Sequence, residues 1–114
     1  ELLTKIGMQR WKNYSLSELS SGQQQKVALA RALITNPEII IADEPTGNLD
    51  YESGQDLIQI LKKLNNEEDR TIIMVTHDRE YLKYSKSAIY MLDGEITDIK
   101  TKDIKSERKL SRKR

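Results

Sequence analysis

No cysteine occurs in the 114 residues, which excludes disulfides and thiolate metal sites. No apolar run approaches the ~20 residues of a membrane-spanning helix. The opening ELLTKIGMQR also lacks the apolar stretch of a secretory signal, so the chain reads as cytosolic. Charge of one sign is missing too. Nineteen basic against eighteen acidic residues leave a net charge of +1, so there is no general affinity for polyanions and any basic effect must be local. No glycine is followed by lysine, so the phosphate-cradling pattern G-x-x-x-x-G-K-[ST] is absent. No methionine opens the chain, and Leu2, Leu3, Ile6 and Met8 form an apolar face at helical spacing with no start signal before it. The sequence is therefore expected to enter mid-domain.

What is present alternates between helix and strand. Val27, Ala28, Ala30, Arg31 and Leu33 recur at helical spacing from Ser21 to Ile34, and Asn36-Pro37 ends the segment because proline disfavours helical backbone in its predecessor. Glu38 to Ala42 (EIIIA) is a continuous apolar run, typical of a strand covered on both faces in a parallel sheet. Leu57, Ile58, Ile60, Leu61 and Leu64 mark an amphipathic helix over Glu52 to Asn65, and Thr71 to Val75 (TIIMV) reads as a second buried strand. A short helix is expected from Asp78 to Tyr84. Ala88 to Leu92 and Glu95 to Ile99 flank Asp93-Gly94, a two-residue hairpin signal. The fold expected is α/β, a parallel sheet flanked by helices with a C-terminal β-hairpin. Residues 1–99 form the domain and 100–114 a polar, charged tail, disordered if nothing holds it.

The polar residues that carry chemistry lie at the ends of these elements. Ligands of open parallel sheets bind outside the carboxyl ends of strands, and here the strands exit into Asp43-Glu44-Pro45 and Thr76-His77-Asp78. Asp43 could face a hydrated Mg²⁺, which prefers oxygen ligands and keeps several waters. Glu44 could polarise an attacking water as general base, and crowding by Asp43 is expected to raise one of the two pKa values. Solvated loop acids are the alternative reading. His77, the only histidine, is either a hydrogen-bonded loop residue or a contact for a phosphate oxygen or water. In LSELSSGQQQKVALARAL, Ser20, Ser21 and Gly22 precede a helix whose unpaired N–H groups attract anions. Gly22 would let a ligand approach the backbone, although serine before a helix with Gln23 following is also an ordinary cap.

Together and in order, these segments resemble the ATP-binding cassette (ABC) ATPases, whose fold is P-loop NTPase-like. Leu19 to Gln23 is similar to the family's signature motif, Ile39 to Glu44 to its Walker B strand with the catalytic glutamate, Asn48-Leu49-Asp50 to its D-loop, and His77 to its switch histidine. ADEPTGNLD, Ala42 to Asp50, resembles the subgroup serving lipoprotein release, macrolide export and antimicrobial-peptide efflux. The resemblance implies a head-to-tail dimer of two ATP-binding domains with ATP and Mg²⁺ between them. Ser20, Ser21, Gly22 and Gln23 would bind the nucleotide of the opposite subunit, while Asp43 as metal ligand, Glu44 and His77 serve their own. Asp50 would couple the two sites. It also implies a transmembrane permease partner, a peripheral location on the cytoplasmic face of the membrane, and substrate export or extraction. Ser21 stands where the family has glycine. The missing Walker A loop makes this the C-terminal half of a domain, truncated or partial, unable to hydrolyse ATP alone and with strand faces exposed to association.

Non-transport ABC ATPases of translation or DNA-repair type, and a catalytically dead regulatory module, are the alternatives. Gly47-Asn48 stands where translation types usually have Asn-His, and the coiled-coil heptads of the repair type are absent. No nucleic-acid partner is expected. The basic run Lys105 to Arg114 reads as a solvated tail, or else as a juxtamembrane stretch facing anionic lipid.

Overall fold

Ser20 is where the chain commits to its first long helix. The Gln23 backbone N–H donates to Ser20 Oγ at 3.2 Å while the Ser20 N–H donates to Gln23 Oε1 at 3.0 Å, a reciprocal box that satisfies two otherwise unpaired donors. Helix α2 (Ser21–Leu33) follows, preceded by the short α1 (Leu2–Lys5). Asn36 then adopts left-handed backbone, φ 53°, a conformation asparagine tolerates, ahead of Pro37. The computed structural model describes residues 1–102.

Strands β1 (Ile39–Asp43) and β2 (Thr71–Val75) pair in parallel, from Ile39 opposite Thr71 to Asp43 opposite Val75. The connection between them is α3 (Tyr51–Glu68), a turn longer than the Glu52 to Asn65 expected; Asp69, at φ 54°, closes it as a left-handed cap. Gly22, Leu29, Ala30 and Leu33 of α2 are buried, as are Leu57, Ile58, Leu61 and Leu64 of α3, which matches the α3 face expected. On α2 the expected face is rotated. Ala28 and Arg31 are exposed and Val27 is half-buried, because the close approach to α3 runs through Gly22. Ile40, Ile6 and Met8 complete this core, each buried side chain contributing roughly 1.5–3 kcal/mol.

Strand alternation puts Ile40 in that core and Ile39 and Ile41 outside it, 56% and 70% exposed. Ile73 and Val75 are exposed beside them, so the isoleucine run is covered on one face only. At the opposite end from Asp43, Arg70 joins the two strand entrances. Its Nη2 donates to Asn36 Oδ1 at 2.6 Å and its Nη1 to the Pro37 carbonyl, while the Thr71 N–H donates to the Glu38 carbonyl at 2.8 Å. Lys5 pairs with Glu68 at 2.7 Å, which pins α1 to the end of α3.

The described residues divide into two compact units, Glu1–His77 and 78–102. The second opens with a 3₁₀ helix at Arg79–Tyr84, tighter than the helix expected there and capped by Asp78. Strands β3 (Ser87–Leu92) and β4 (Glu95–Thr101) then pair antiparallel. Asp93 and Gly94 turn at φ 48° and 79°, the doubly positive geometry of a type I′ hairpin. Lys100 and Thr101 belong to β4, so the strand runs past the expected boundary at Ile99. The basic run Lys105 to Arg114 lies outside the described residues.

Leu64 is 1% exposed, and Leu64→Ala is expected to lower the urea-unfolding free energy by about 2–5 kcal/mol. Ile73→Ser, on the open face, should change it by less than about 0.5 kcal/mol. Equal effects of the two would contradict this placement of the core.

Candidate functional site

The parallel pairing delivers both strand exits to one edge. Asp43 is the last residue of β1, and the Glu44 N–H extends the ladder by donating to the Val75 carbonyl at 2.7 Å. Glu44 then turns sharply at φ 46°, a left-handed conformation that non-glycine residues adopt rarely. The Gly47 N–H donates back to the Glu44 carbonyl at 3.2 Å, closing a turn over the buried Pro45 and Thr46.

Glu44 Oε1 receives two contacts from His77: the backbone N–H at 3.0 Å and ring Nδ1 at 2.8 Å. Both side chains face solvent, Glu44 38% exposed and His77 87%. The hydrogen bond from the His77 side chain, aided by its backbone N–H and by Thr76, holds the Glu44 carboxyl below its ordinary range. This corrects the expectation that Asp43 would push one of the acids upward. Consecutive side chains leave a strand on opposite sides, and the turned backbone of Glu44 carries its carboxylate to donors at the β2 exit. Asp43 is exposed, and among the described residues no three His, Cys, Asp or Glu side chains gather as a metal-binding group. A lone open carboxylate at a strand end suits a cation that keeps most of its water.

A second constellation joins α2 to the start of α3. Ser20 and Ser21 are exposed, and Gln23 is half-buried. Gly22 is buried. A Cβ there would lie 3.0 Å from Ser53 Cβ and 3.1 Å from Ser53 Oγ, so the missing side chain makes room for α3 and not only for a ligand. Asp50 caps α3 by accepting the Ser53 N–H at 3.4 Å, and its carboxyl is lowered chiefly by the hydrogen bond from the Ser53 side chain. Beside this junction an open groove of about 340 Å³ is lined by Ser21, Gln24, Arg31, Asn48 and Leu49, among others.

Glu44 therefore meets His77, and Gly22 meets Asp50 through Ser53, while Ser20 and Gln23 bond each other. Thr76 and Ser53 were missed in the sequence. Ser53 had a readable signal, since a serine three residues after a capping aspartate occupies the position whose N–H the cap accepts.

The profile of the family described as ABC transporter matches residues 1–47. The chain is 50% identical over 88 residues to the uncharacterized ABC transporter ATP-binding protein MJ0796 of Methanocaldococcus jannaschii, covering 77% of this chain and 37% of that protein. It is 42% identical over 96 residues to the lipoprotein-releasing system ATP-binding protein LolD 1 of Rhodopseudomonas palustris, covering 84% of this chain and 42% of the relative. A solved dimeric post-hydrolysis state of the cassette MJ0796, bound to ADP and Pi, superposes with a TM-score of 0.76 at 42% identity, over 88% of this chain and 44% of that one. The chain belongs to the ABC ATP-binding family. Within that family it is also 50% identical over 96 residues to the macrolide export ATP-binding/permease protein MacB of Bartonella henselae, over 84% of this chain and 14% of the relative. These relatives match the subgroup expected from ADEPTGNLD. The ABC chain spans between 37% and 44% of the first three curated relatives. Its α/β architecture, with a parallel strand pair and a separate antiparallel hairpin, is that of ABC cassettes.

A carboxylate depressed on folding contributes stability that is present above its ordinary pKa and lost as pH falls through the lowered value. For Glu44 that contribution is complete above 4.5 and is lost progressively as pH falls from there through the lowered value. The Glu44 carboxyl carbon, followed by NMR, should titrate below 4.5 and move back up in His77→Ala. Unchanged titration in the variant would remove His77 as the cause.

Proposed function

We propose that this chain supplies the signature, Walker B, D-loop and switch-histidine segments of an ATP-hydrolysing ABC transporter subunit. The observation that carries the reading is the Glu44–His77 pair at the common exit of two parallel strands. A glutamate carboxylate is ionised at neutral pH, and at this solvent-open strand exit it can take a proton from water. His77, bonded through its backbone and its ring, fixes the carboxylate's orientation.

The N-terminus of α2 offers backbone N–H groups and a partial positive charge to an anion. Ser20, Ser21, Gly22 and Gln23 would face the γ-phosphate of ATP held by a second ATP-binding domain in a head-to-tail dimer, Ser21 and Gly22 with backbone N–H groups, the serines with hydroxyls and Gln23 with its side-chain amide. Asp43 would hold Mg²⁺ together with phosphate oxygens and water, a cation that neutralises phosphate charge. Asp50, at the cap of α3, would couple the paired sites. The relatives named for lipoprotein release and macrolide export support a permease partner at the cytoplasmic face of the membrane and a role in export or extraction, without nucleic acid. Phosphoryl transfer depends on positioning and charge neutralisation, and the 114 residues contain no Gly-Lys pair. Hydrolysis therefore requires a glycine-rich loop supplied from outside these residues.

The test is to read the coding sequence upstream of Glu1 and to assay ATP hydrolysis by the longer product, by the 114-residue chain and by a Glu44→Gln form of the longer product. The longer product should hydrolyse ATP, the short chain should not, and Glu44→Gln should lose at least about 100-fold in kcat. An upstream sequence without the loop, or full activity in Glu44→Gln, would overturn the reading.

A further inference from the structure

The peptide unit that joins Leu19 to Ser20 is gripped at both ends by consecutive side chains of α2. Its N–H donates to Gln23 Oε1 at 3.0 Å, as part of the capping box, while its carbonyl accepts from Gln24 Nε2 at 3.2 Å. The same Nε2 donates to the Leu16 carbonyl at 3.0 Å, in the 3₁₀ turn at Leu16–Glu18. Carbonyl oxygens only accept, so the amide nitrogen of Gln24 is the atom that faces them and both of its hydrogens are engaged. The Gln24 backbone N–H donates to the Ser20 carbonyl at 2.8 Å, so one residue holds the chain on both sides of Ser20. The cap does not require the Gln24 side chain, because Ser20 and Gln23 close it between themselves.

We propose that Gln24 is a positioning residue that fixes the plane of the Leu19–Ser20 peptide, and with it the direction in which Ser20 and Ser21 open from the start of α2. A peptide plane fixed in advance spares a ligand the cost of ordering it. The tie depends on donors and not on size. Glutamate is nearly isosteric with glutamine but turns acceptor oxygens toward two carbonyls, whereas lysine is longer and its ammonium can donate to both. A carboxylate near a helix N-terminus is otherwise favourable, so a loss on substituting glutamate reports the broken tie and not a weakened helix. That a terminal phosphate of nucleotide meets this turn rests on the function proposed above; the tie itself does not.

The two are tested separately. In the 114-residue chain at neutral pH, Gln24→Glu should cut the hydrogen-exchange protection of the Ser20 amide about tenfold, while the Leu33 amide at the far end of α2 keeps its protection and shows the helix to be intact. Gln24→Ala, which removes the donor without adding charge and favours helix, should do the same, and Gln24→Lys should keep Ser20 within about twofold of wild type. Unchanged Ser20 protection in Gln24→Glu and Gln24→Ala, or an equal loss in Gln24→Lys, overturns the tie whether or not the protein hydrolyses ATP. In the longer product, Gln24→Glu should lower kcat about tenfold with KM for ATP nearly unchanged, and Gln24→Lys should retain most of the wild-type rate. A wild-type kcat in Gln24→Glu, or a loss confined to KM, overturns the positioning role. If the unmodified longer product is inactive, the proposed function fails while the exchange comparison still decides the tie.

Discussion

Glu44 reaches His77 because β1 and β2 pair in parallel with Asp43 opposite Val75. Adjacent residues of a strand are separated by about 3.3 Å, so slipping the register by one position would carry the Glu44 carboxylate out of reach of both His77 contacts. The register is held far from the site. Arg70 bridges Asn36 and Pro37 before β1, and the Thr71 N–H reaches the Glu38 carbonyl at the strand entrances. A guanidinium at one end of the strands therefore sets the geometry of a carboxylate at the other.

The second half of the candidate site depends on how closely two helices approach. Near the α2 N-terminus a Cβ at Gly22 would strike Ser53 of α3, which fills the space. Gly22 thus gives a flush face toward α3, and in the function proposed above the same position would also let an anion approach the backbone. Ser21, beside it, is exposed, so there is room for its side chain at the position where the family usually has glycine.

Periodicity and punctuation made the elements readable. The apolar face of α3, the β2 run and the Asp93-Gly94 turn each follow from residues a few positions apart, and each was found close to its expected limits. The capping box of Ser20 and Gln23 was visible for the same reason. What stayed hidden depends on contacts between distant segments. The buried face of α2 lies toward α3, some thirty positions downstream; the lowering of Glu44 is caused chiefly by His77, which adjoins it only through strand pairing. Sequence neighbours do not decide the Glu44 carboxyl, because the backbone turn there selects neighbours in space. The exposure of Ile39 and Ile41 was expected only through the family resemblance, which implies further strands of the same sheet.

The left-handed backbone at Glu44, φ 46°, sets side-chain chemistry against main-chain comfort. Conformations of this kind cost on the order of 1–3 kcal/mol in residues other than glycine. A glycine here would relax the turn and could leave the fold sturdier while erasing the carboxylate. Selection for robustness alone would drift away from glutamate at this position, and its presence marks a place where the chain gives up ease of folding to keep an acid at the strand exit.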